Sequence, residues 1–292
     1  MPIALSRRKF LGLSAGVLAG GALGVLGDGL YEPYETAVTH VTVALKRLPP
    51  ALDGLRIAQL SDIHFNSFMT TDHLERVIGL ANAQKPDLVV LTGDFVTAMF
   101  SHGKRNLLAE NAWPCADVLR RLEAPLGCYA VLGNHDYDTN AEVVIEALTA
   151  SRIQVLRNRA NAIERAGARL WLAGIDNVTK AHPNPTTALR GVPKHECTLV
   201  AVHEPDFADE MRKFPVDFQM SGHSHGGQIR FPGIGPLYLP YLAHKYPKGH
   251  YQIGELQLYT NRGIGMIGLP IRFLCPPEIT LFTLAMARGS AG

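Results

Sequence analysis

The sequence lacks long runs of one charge and contains few cysteines. Its 28 Lys and Arg residues nearly balance its 26 Asp and Glu residues, which leaves a formal net charge of +2. Without a Lys/Arg run, nothing indicates the extended basic surface that duplex DNA binding favours, and we expect no nucleic acid partner. Cys115, Cys128, Cys197 and Cys275 form no C-x-x-C pair, so neither a zinc knuckle nor a dense disulfide framework follows. We interpret them as packing residues, and their disulfide state stays open.

Internal repeats, low-complexity segments and long linkers are also missing from the sequence after residue 30. The chain has 292 residues, of which 47% are hydrophobic and 18% charged. This is the composition of a globular protein that buries a large core. We therefore interpret residues 31–292 as a single domain.

The first 30 residues have the features of an export segment. Ser6-Arg7-Arg8-Lys9-Phe10-Leu11 precedes an apolar, Gly/Ala-rich stretch that reaches about Leu26, which is the order of a signal peptide. The arginine pair and its neighbours resemble the twin-arginine signal. No clean cleavage site precedes Asp28, so removal of the segment and retention as a membrane anchor both stay open. The pattern predicts export by the twin-arginine machinery to the bacterial cell envelope, either periplasmic or anchored to the cytoplasmic membrane.

Apolar runs along the rest of the chain predict buried strands. These runs cover residues 55–60, 88–91, 128–132, 198–202 and 218–220. Each run is followed within a few residues by Asp, His or Asn. Because ligands bind at the carboxyl ends of strands in open α/β sheets, we expect these polar groups to converge on one crevice.

Helical patterns lie between several of the predicted strands. The apolar residues within 74–81 share one helix face, and Asp72 and Glu75 have the spacing of an N-cap and an N3 residue. Thr139 and Glu142 repeat that spacing before a second helical pattern. Strands that alternate with helices predict an α/β fold.

The polar groups after the strands form short blocks of metal-ligand residue types. The blocks are Ser61-Asp62-Ile63-His64, Gly93-Asp94, Gly133-Asn134-His135-Asp136, Val202-His203-Glu204 and Gly222-His223-Ser224-His225-Gly226-Gly227. Any single block is weak support, because a lone His is more often a core or surface residue than a ligand. Together they would bury several unpaired carboxylates and imidazoles, which is costly. Two divalent cations would remove that cost by coordinating them.

In this order the blocks resemble the calcineurin-like metallophosphoesterase family, whose pattern is D-x-H, G-D, G-N-H-D/E, H and G-H-x-H. The resemblance covers roughly residues 56–228 and departs from the pattern at none of the ligand positions. It implies an α/β fold of two stacked mixed β-sheets flanked by helices. It also implies a dinuclear metal site at the carboxyl ends of the strands.

The resemblance implies a role for each matching residue. One metal ion would be held by Asp62, His64 and His225, the other by Asn134, His203 and His223, and Asp94 would bridge the two. His135 would protonate the leaving oxygen or stabilise the phosphate charge, with Asp136 as its orienting partner. A hydroxide between the two cations would attack phosphorus in line. Mixed nitrogen and oxygen ligands suit Mn, Fe, Zn or Co, and the sequence does not choose among them.

The resemblance also bears on the substrate. Protein serine/threonine phosphatases of this superfamily carry Asp-Arg-Gly after Gly-Asp, whereas Phe95 follows Asp94 here. The chain resembles instead a bacterial group with a twin-arginine start, His-Gly-Gly-Gln after the last block, and Pro277-Glu278-Ile279 preceded by Arg272. That likeness implies a phosphodiesterase or pyrophosphohydrolase acting on phospholipid or on nucleotide-sugar lipid such as UDP-diacylglucosamine. A broad phosphomonoesterase that scavenges phosphate, and a metal-bound envelope binding module without catalysis, are the alternatives.

A proline-rich apolar loop at 231–242 directly follows the last block. It favours a lipid-linked substrate if it forms an acyl-chain groove or meets a membrane surface, and a packed loop that covers the sheet edge is an equal expectation. Cations near it offer contacts to a second phosphate or an anionic headgroup, although such residues more often are surface charge. These cations are His244, Lys245, Lys248, Arg262 and Arg272.

Overall fold

The computed structural model describes residues 27–98 and 108–287, so the twin-arginine sequence at 6–11 lies outside the described residues. Two six-stranded sheets form the centre of the molecule. The first contains, in spatial order, β1 (Ala37–Leu45), β14 (Glu278–Met286), β2 (Arg56–Leu60), β3 (Leu88–Leu91), β4 (Cys128–Ala130) and β5 (Ile153–Val155). Strands β2 to β5 are parallel, and β14 is antiparallel to β2.

The second sheet repeats this mixed arrangement. Its spatial order is β12 (Gly249–Ile253), β13 (Leu256–Thr260), β9 (Phe218–Ser221), β8 (Thr198–Ala201), β7 (Ala168–Gly174) and β6 (Arg159–Arg165). The central strands are parallel, and the two edge strands are antiparallel to their neighbours. A small hairpin, β10 (Arg230–Phe231) and β11 (Gly235–Pro236), stands apart from both sheets.

The two sheets stack face to face over a shared apolar core. Val90 and Phe282 from the first sheet and Phe218 from the second belong to this core. The rings of Phe218 and Phe282 pack edge to face with centroids 5.0 Å apart, a favourable aromatic geometry. The predicted α/β architecture of two stacked mixed sheets is therefore confirmed.

Helices cover the outer faces of the sheets. They are α1 (Thr71–Ala83), α2 (Ala112–Leu119), α3 (Asn134–Thr139), α4 (Ala141–Ala150), α5 (Pro185–Ala188) and α6 (Ala208–Met211). Leu74 of α1 and Leu148 of α4 join a core with the first sheet, and Met211 of α6 packs on the second sheet. Among residues 27–98 and 108–287, no helix combines the length and apolarity needed to cross a membrane.

Both predicted helix caps were displaced. Helix α1 begins at Thr71, and the Thr70 side chain accepts a hydrogen bond from the His73 backbone N–H, so Asp72 lies inside the first turn. Helix α4 is capped by Asn140, which accepts from the Val143 N–H. Thr139 instead ends α3, where its hydroxyl donates to the carbonyl of His135 at 3.0 Å. Several Thr, Asp and Asn residues near a helix start can all serve as caps, and the preceding backbone decides which one does.

The cysteines behave as packing residues. Each is a free thiol, and Cys115, Cys197 and Cys275 are buried. Cys115 lies in the core under the first sheet, and Cys197 lies in the core between the sheets.

Candidate metal centre

The loops that follow β2, β3, β4, β8 and β9 meet at one edge of the sandwich and are joined through their backbones. The Asp62 N–H donates to the Gly93 carbonyl at 2.9 Å, and the His64 N–H donates to the Asp94 carbonyl at 2.9 Å. On the second sheet, the Gly222 N–H donates to the His203 carbonyl at 3.0 Å. The polar residues that the sequence places after separate strands are therefore neighbours in space.

Two carboxylates connect the loops further. The Asp62 carboxylate accepts the His223 N–H at 3.1 and 3.0 Å, which ties the end of β2 to the end of β9 in the other sheet. The Asp94 Oδ1 accepts the His135 N–H at 2.8 Å, which ties β3 to the start of α3. Both carboxylates are buried, so each is held in one orientation.

A first group of metal-ligand atoms is formed by Asp62, His64 and His225. The His64 Nε2 lies 3.1 Å from the His225 Nε2, and the His225 Nε2 lies 3.4 Å from the Asp62 Oδ1. These ligand atoms all lie within 4.8 Å of one another. The spacing suits side chains that converge on one cation.

A second group is formed by Asp94, His203 and His223, whose ligand atoms also lie within 4.8 Å of one another. The Asp94 Oδ2 lies 3.3 Å from the His203 Nε2 and 3.6 Å from the His64 Nε2. The carboxylate of Asp94 therefore stands between the two groups, where a bridging ligand would have to be.

The unpaired polar atoms of the site fit bound cations. The Asn134 Oδ1 and the His203 Nε2 are buried and have no hydrogen-bond partner in the described part of the chain. An orphaned buried acceptor costs free energy unless another partner meets it. Amide oxygen, imidazole nitrogen and carboxylate oxygen are together a ligand set for first-row divalent metals. The residues present therefore fit the metal ions that the sequence predicts.

Burial keeps most of the imidazoles neutral, which is the form that binds metal. Burial holds the pKa of His64 and that of His225 well below the usual value. Burial, followed by the charge of His203, lowers the pKa of His223 to about 4. At His203 burial also acts to lower the pKa, but the Asp94 carboxylate outweighs it and raises the pKa well above the usual value. Asp94 is thus the point of strongest attraction for positive charge.

Backbone carbonyls select the tautomers of two of the histidines. The His203 Nδ1 donates to the Thr92 carbonyl at 2.6 Å, so Nε2, which faces Asp94, is the ring nitrogen left for a cation. The His223 Nε2 donates to the Tyr241 carbonyl at 2.8 Å, which leaves the Nδ1 lone pair for a ligand. A carbonyl that fixes the second ring nitrogen is the usual support of a metal-binding histidine.

His135 has the opposite arrangement. Its Nδ1 accepts the backbone N–H of Ala98 at 3.0 Å, so the neutral ring carries its proton on Nε2. One of its ring nitrogens lies within 4.8 Å of one ligand atom each of His64 and Asp94, yet a protonated Nε2 has no lone pair to give to a metal. This tautomer suits a hydrogen-bond donor to a phosphate oxygen.

Asp136 does not orient His135 in the way the sequence suggested. Its carboxylate accepts the backbone N–H groups of Asp94 at 2.9 Å, Phe95 at 2.8 Å and Gly133 at 2.8 Å. Among the described residues, its hydrogen bonds go to backbone N–H groups and not to the His135 ring. The sequence could not reveal this, because backbone donors leave no trace in the residue pattern. Asp136 positions the loop that carries Asp94.

The site is built on a left-handed backbone. Its residues with positive φ are Asp62 (50°), His64 (50°), Asp94 (57°), His223 (69°) and His225 (50°). This conformation costs a non-glycine residue roughly 1–2 kcal/mol of conformational free energy. Residues in this conformation cluster at functional sites.

Glycines in the blocks make room for the carboxylates. A Cβ atom at Gly133 would overlap the carboxylate of Asp94, and one at Gly222 would overlap the side chains of Ser61 and Asp62. The close approach of the loops therefore requires glycine at both positions.

A cavity of ≈ 550 Å³ opens beside the candidate metal ligands. Its lining includes Asp94, Asn134, His135, His223 and His225. The lining also includes apolar residues, among them Ile229, Leu237, Tyr238, Pro240, Ile267 and Leu269. Residues of the proline-rich loop thus line the cavity.

The predicted cationic contacts around this loop are mostly engaged elsewhere. Arg272 is fully buried, and its guanidinium donates to backbone carbonyls of Arg262, Gly263, Gly265 and Cys275. Arg262 donates to Glu278 at 3.0 Å. Lys245 pairs with Asp209 at 2.6 Å. The expectation that Arg272 meets a phosphate was wrong, because its side chain is buried and donates its hydrogen bonds to the carbonyls of the surrounding loop.

The residues that support the metal ligands were not predicted from the sequence. Thr92 and Tyr241 act through backbone carbonyls, and the Thr97 hydroxyl lies 3.2 Å from the His64 Nδ1. Gln59 bridges the sheets by donating to the Thr92 hydroxyl at 3.0 Å and to the Ser221 carbonyl at 2.9 Å. A Gln inside an apolar strand was the available signal for this bridge.

Carboxylates, imidazoles and an amide grouped around one shared carboxylate are typical of dinuclear metallohydrolases. Residues 55–227 match the family model of the calcineurin-like phosphoesterases, and the chain belongs to this family. It is a phosphoric ester hydrolase.

Curated relatives agree with this assignment. The chain is 37% identical to the uncharacterized metallophosphoesterase YkuE of Bacillus subtilis, over 96% of this chain and 98% of the relative. It is 32% identical to the phosphodiesterase YaeI of Escherichia coli, over 78% of this chain and 82% of the relative. It is 29% identical to the UDP-2,3-diacylglucosamine pyrophosphatase LpxG of Chlamydia trachomatis, over 86% of this chain and 89% of the relative.

Proposed function

We propose that the chain is a dinuclear-metal phosphodiesterase or pyrophosphohydrolase that acts on a lipid-linked phosphoester of the bacterial cell envelope. The proposal is carried by one observation, namely that two groups of ligand atoms, linked by the Asp94 carboxylate, border a cavity that is also lined by apolar residues. Polar chemistry and apolar contact in one cavity suit a substrate with both parts.

Seven residues would hold two divalent metal ions, which are Mn, Fe, Zn or Co. Asp62, His64 and His225 serve one ion, Asn134, His203 and His223 serve the other, and Asp94 serves both. When bound, the ions would supply an activated water nucleophile and neutralise phosphate charge. Asn134 keeps one ligand position neutral, so the centre retains attraction for an anionic phosphate.

His135 stabilises the charge of the phosphoester through a hydrogen bond. The Ala98 N–H bonded to Nδ1 keeps the proton of the neutral ring on Nε2, where it can form a hydrogen bond to an oxygen of the phosphoester. Asp136 contributes indirectly, because it holds the backbone of Asp94 in place.

The apolar lining favours a diester over a small phosphomonoester. Leu237 and Leu269 line the same cavity as His135, where an acyl chain or another apolar group would displace water. Two relatives carry the names phosphodiesterase and UDP-2,3-diacylglucosamine pyrophosphatase, and both are in keeping with a substrate of this class. Export by the twin-arginine machinery, for which the sequence at 6–11 is the support, would deliver the folded and metal-loaded enzyme to the envelope.

Hydrolysis of bis(p-nitrophenyl) phosphate tests the proposal. Full-length protein is stripped with a chelator, and Mn, Zn, Co or Mg is added back singly. We expect metal-dependent turnover that is abolished in Asp94→Ala, because this variant lacks the shared carboxylate. Turnover of p-nitrophenyl phosphate alone would indicate a phosphomonoesterase, and stoichiometric binding of two metals without turnover of either ester would indicate a binding module.

A further inference from the structure

Large apolar side chains are exposed on three segments, two of which line the catalytic cavity through Leu237, Tyr238 and Leu269. They come from the hairpin segment 229–242, the loop 264–275 and the chain start at 27–34. The most exposed are Tyr31 (64%), Ile234 (75%), Leu237 (62%), Tyr238 (72%), Tyr241 (73%) and Leu269 (61%). We call these six residues the rim surface.

Backbone hydrogen bonds hold the three segments together. The Arg230 N–H donates to the Phe273 carbonyl at 2.9 Å, which joins the hairpin to the loop. The Arg272 N–H donates to the Gly29 carbonyl at 3.0 Å, and the Glu32 carboxylate accepts the Leu274 N–H at 2.8 Å. The rim surface therefore belongs to a connected structure and is not a set of scattered exposed residues.

The composition of these segments suits a lipid interface. Neither 229–242 nor 264–275 contains Asp or Glu, so no acidic side chain from either segment opposes contact with anionic lipids. The chain start contains Asp28 and Glu32, and the Glu32 carboxylate accepts a backbone N–H of the loop 264–275. Aliphatic tips such as Ile234 next to tyrosines are the pairing found where apolar chains meet polar headgroups. A concentration of large exposed apolar side chains of this kind marks an interaction site.

The N-terminal sequence argues for a lipid bilayer as the partner. Residues 10–26 are mostly apolar and follow Arg7-Arg8-Lys9, the composition of a membrane-directed segment. The described chain begins at residue 27, and Gly29 is buried against the loop that carries Leu269. The membrane-directed sequence therefore joins the domain beside the rim surface.

We propose that the rim surface docks onto the lipid bilayer and turns the mouth of the catalytic cavity toward the headgroups. Ile234 and its neighbours enter the lipid interface, while the candidate metal ligands stay outside the lipid, beyond the apolar residues that line the cavity. The substrate is then a phosphoester whose lipid part remains in the membrane during hydrolysis. This substrate class rests on the proposed phosphodiesterase function, whereas docking does not.

Fluorescence of an introduced tryptophan tests docking in the full-length protein. Ile234→Trp is compared with Leu80→Trp, since Leu80 is also exposed but lies near the end of α1 that leads away from the site to β3. Vesicles contain phosphatidylglycerol, phosphatidylethanolamine and a brominated phospholipid, and the signal of wild-type Trp113 and Trp171 is subtracted. We expect a blue shift and quenching at position 234 and neither at position 80.

The comparison excludes attachment by the N-terminal segment alone. Vesicle-bound protein in which both positions stay unquenched would overturn docking by the rim surface. Emission at position 234 that is already blue-shifted without vesicles, and does not change when they are added, would also overturn it. That result would show that residues 1–26 or a second copy of the chain cover the rim.

An activity ratio separates docking from the proposed function. Ile234→Glu should lower hydrolysis of a vesicle-embedded phosphodiester lipid roughly tenfold, the worth of burying one large aliphatic side chain, while hydrolysis of soluble bis(p-nitrophenyl) phosphate stays the same. Leu80→Glu should change neither rate. Equal vesicle rates in the two variants would overturn docking, whereas lipid quenching without turnover of either substrate would retain docking and overturn the phosphodiesterase function.

Discussion

Single atoms determine which histidines can bind metal and which can donate a hydrogen bond. The His203 Nδ1 donates to the Thr92 carbonyl, so Nε2 is the ring nitrogen left for a metal ion. His135 receives the Ala98 N–H at Nδ1, so its Nε2 is left as a donor. Two histidines of the same site thus differ in chemistry because one faces a backbone acceptor and the other a backbone donor.

This difference gives a prediction for His135. His135→Ala should retain both metal ions and lose about 10²- to 10³-fold in kcat, the usual cost of removing one hydrogen-bond donor to the transition state. Metal content by elemental analysis and kcat on bis(p-nitrophenyl) phosphate check it. His195→Ala removes an exposed histidine and should change neither quantity. Loss of metal from His135→Ala to the extent seen in Asp94→Ala would contradict the assigned role.

Loops, rather than helices or strands, shape the centre at the scale of single elements. Gly265 lies in the loop after β13, where its N–H donates to the Asp62 carbonyl at 2.8 Å. Arg272 holds that loop closed by donating to the Gly265 carbonyl at 3.2 Å from Nε and 2.7 Å from a terminal nitrogen. Among the described residues the buried guanidinium has no carboxylate partner, and backbone oxygens satisfy it instead. The loop in turn supports Asp62.

Arg272→Met should strongly destabilise the fold. The change leaves several buried carbonyls without a donor, at about 1–3 kcal/mol for each, and we expect a total loss of roughly 3 kcal/mol or more. Urea unfolding monitored by circular dichroism measures it. Arg120→Met is the matched control, because Arg120 is exposed and pairs with the exposed Asp117. The free energy of unfolding of this variant should stay within about 0.5 kcal/mol of the wild-type value. A similar loss of unfolding free energy in both variants would contradict the role of Arg272 in holding the loop.

The candidate centre joins the two sheets at the scale of the whole molecule. Asp62, His64, Asp94 and Asn134 follow strands of the first sheet, while His203, His223 and His225 follow strands of the second. Metal ions held by both sets would therefore cross-link the sandwich at one edge. Ligand binding to the folded state alone raises stability by about 2.7 kcal/mol when its free concentration is 100 times Kd.

Metal removal should accordingly lower the thermal stability of the protein. We expect a chelator to reduce Tm by several degrees and added Mn or Zn to restore it. Differential scanning calorimetry with and without metal measures the shift. In Asp94→Ala the shift should be much smaller, and an undiminished shift there would place the stabilising metal at another site.

Much of this molecule follows from local sequence. The run at 88–91 coincides with β3, and the other apolar runs lie within two residues of observed strands, because buried parallel strands need continuous apolar residues. The helix face that contains Leu74 and Val77 is buried as the 3.6-residue period predicts. The cap residues were misplaced, since several neighbouring polar side chains can cap and the incoming backbone selects among them.

The sequence by itself determined the α/β class, the residue types that could bind metal and the strands that carry them. Only the tertiary structure decided what Asp136 and Arg272 do, because both bind backbone atoms that have no letter in the sequence. It also decided that Asp94 stands between two ligand groups. The position of the proline-rich loop, which lines the cavity beside these groups, likewise depends on the tertiary structure. Residue type and period are local properties, whereas these contacts join segments far apart in the chain and exist only when both sheets have packed.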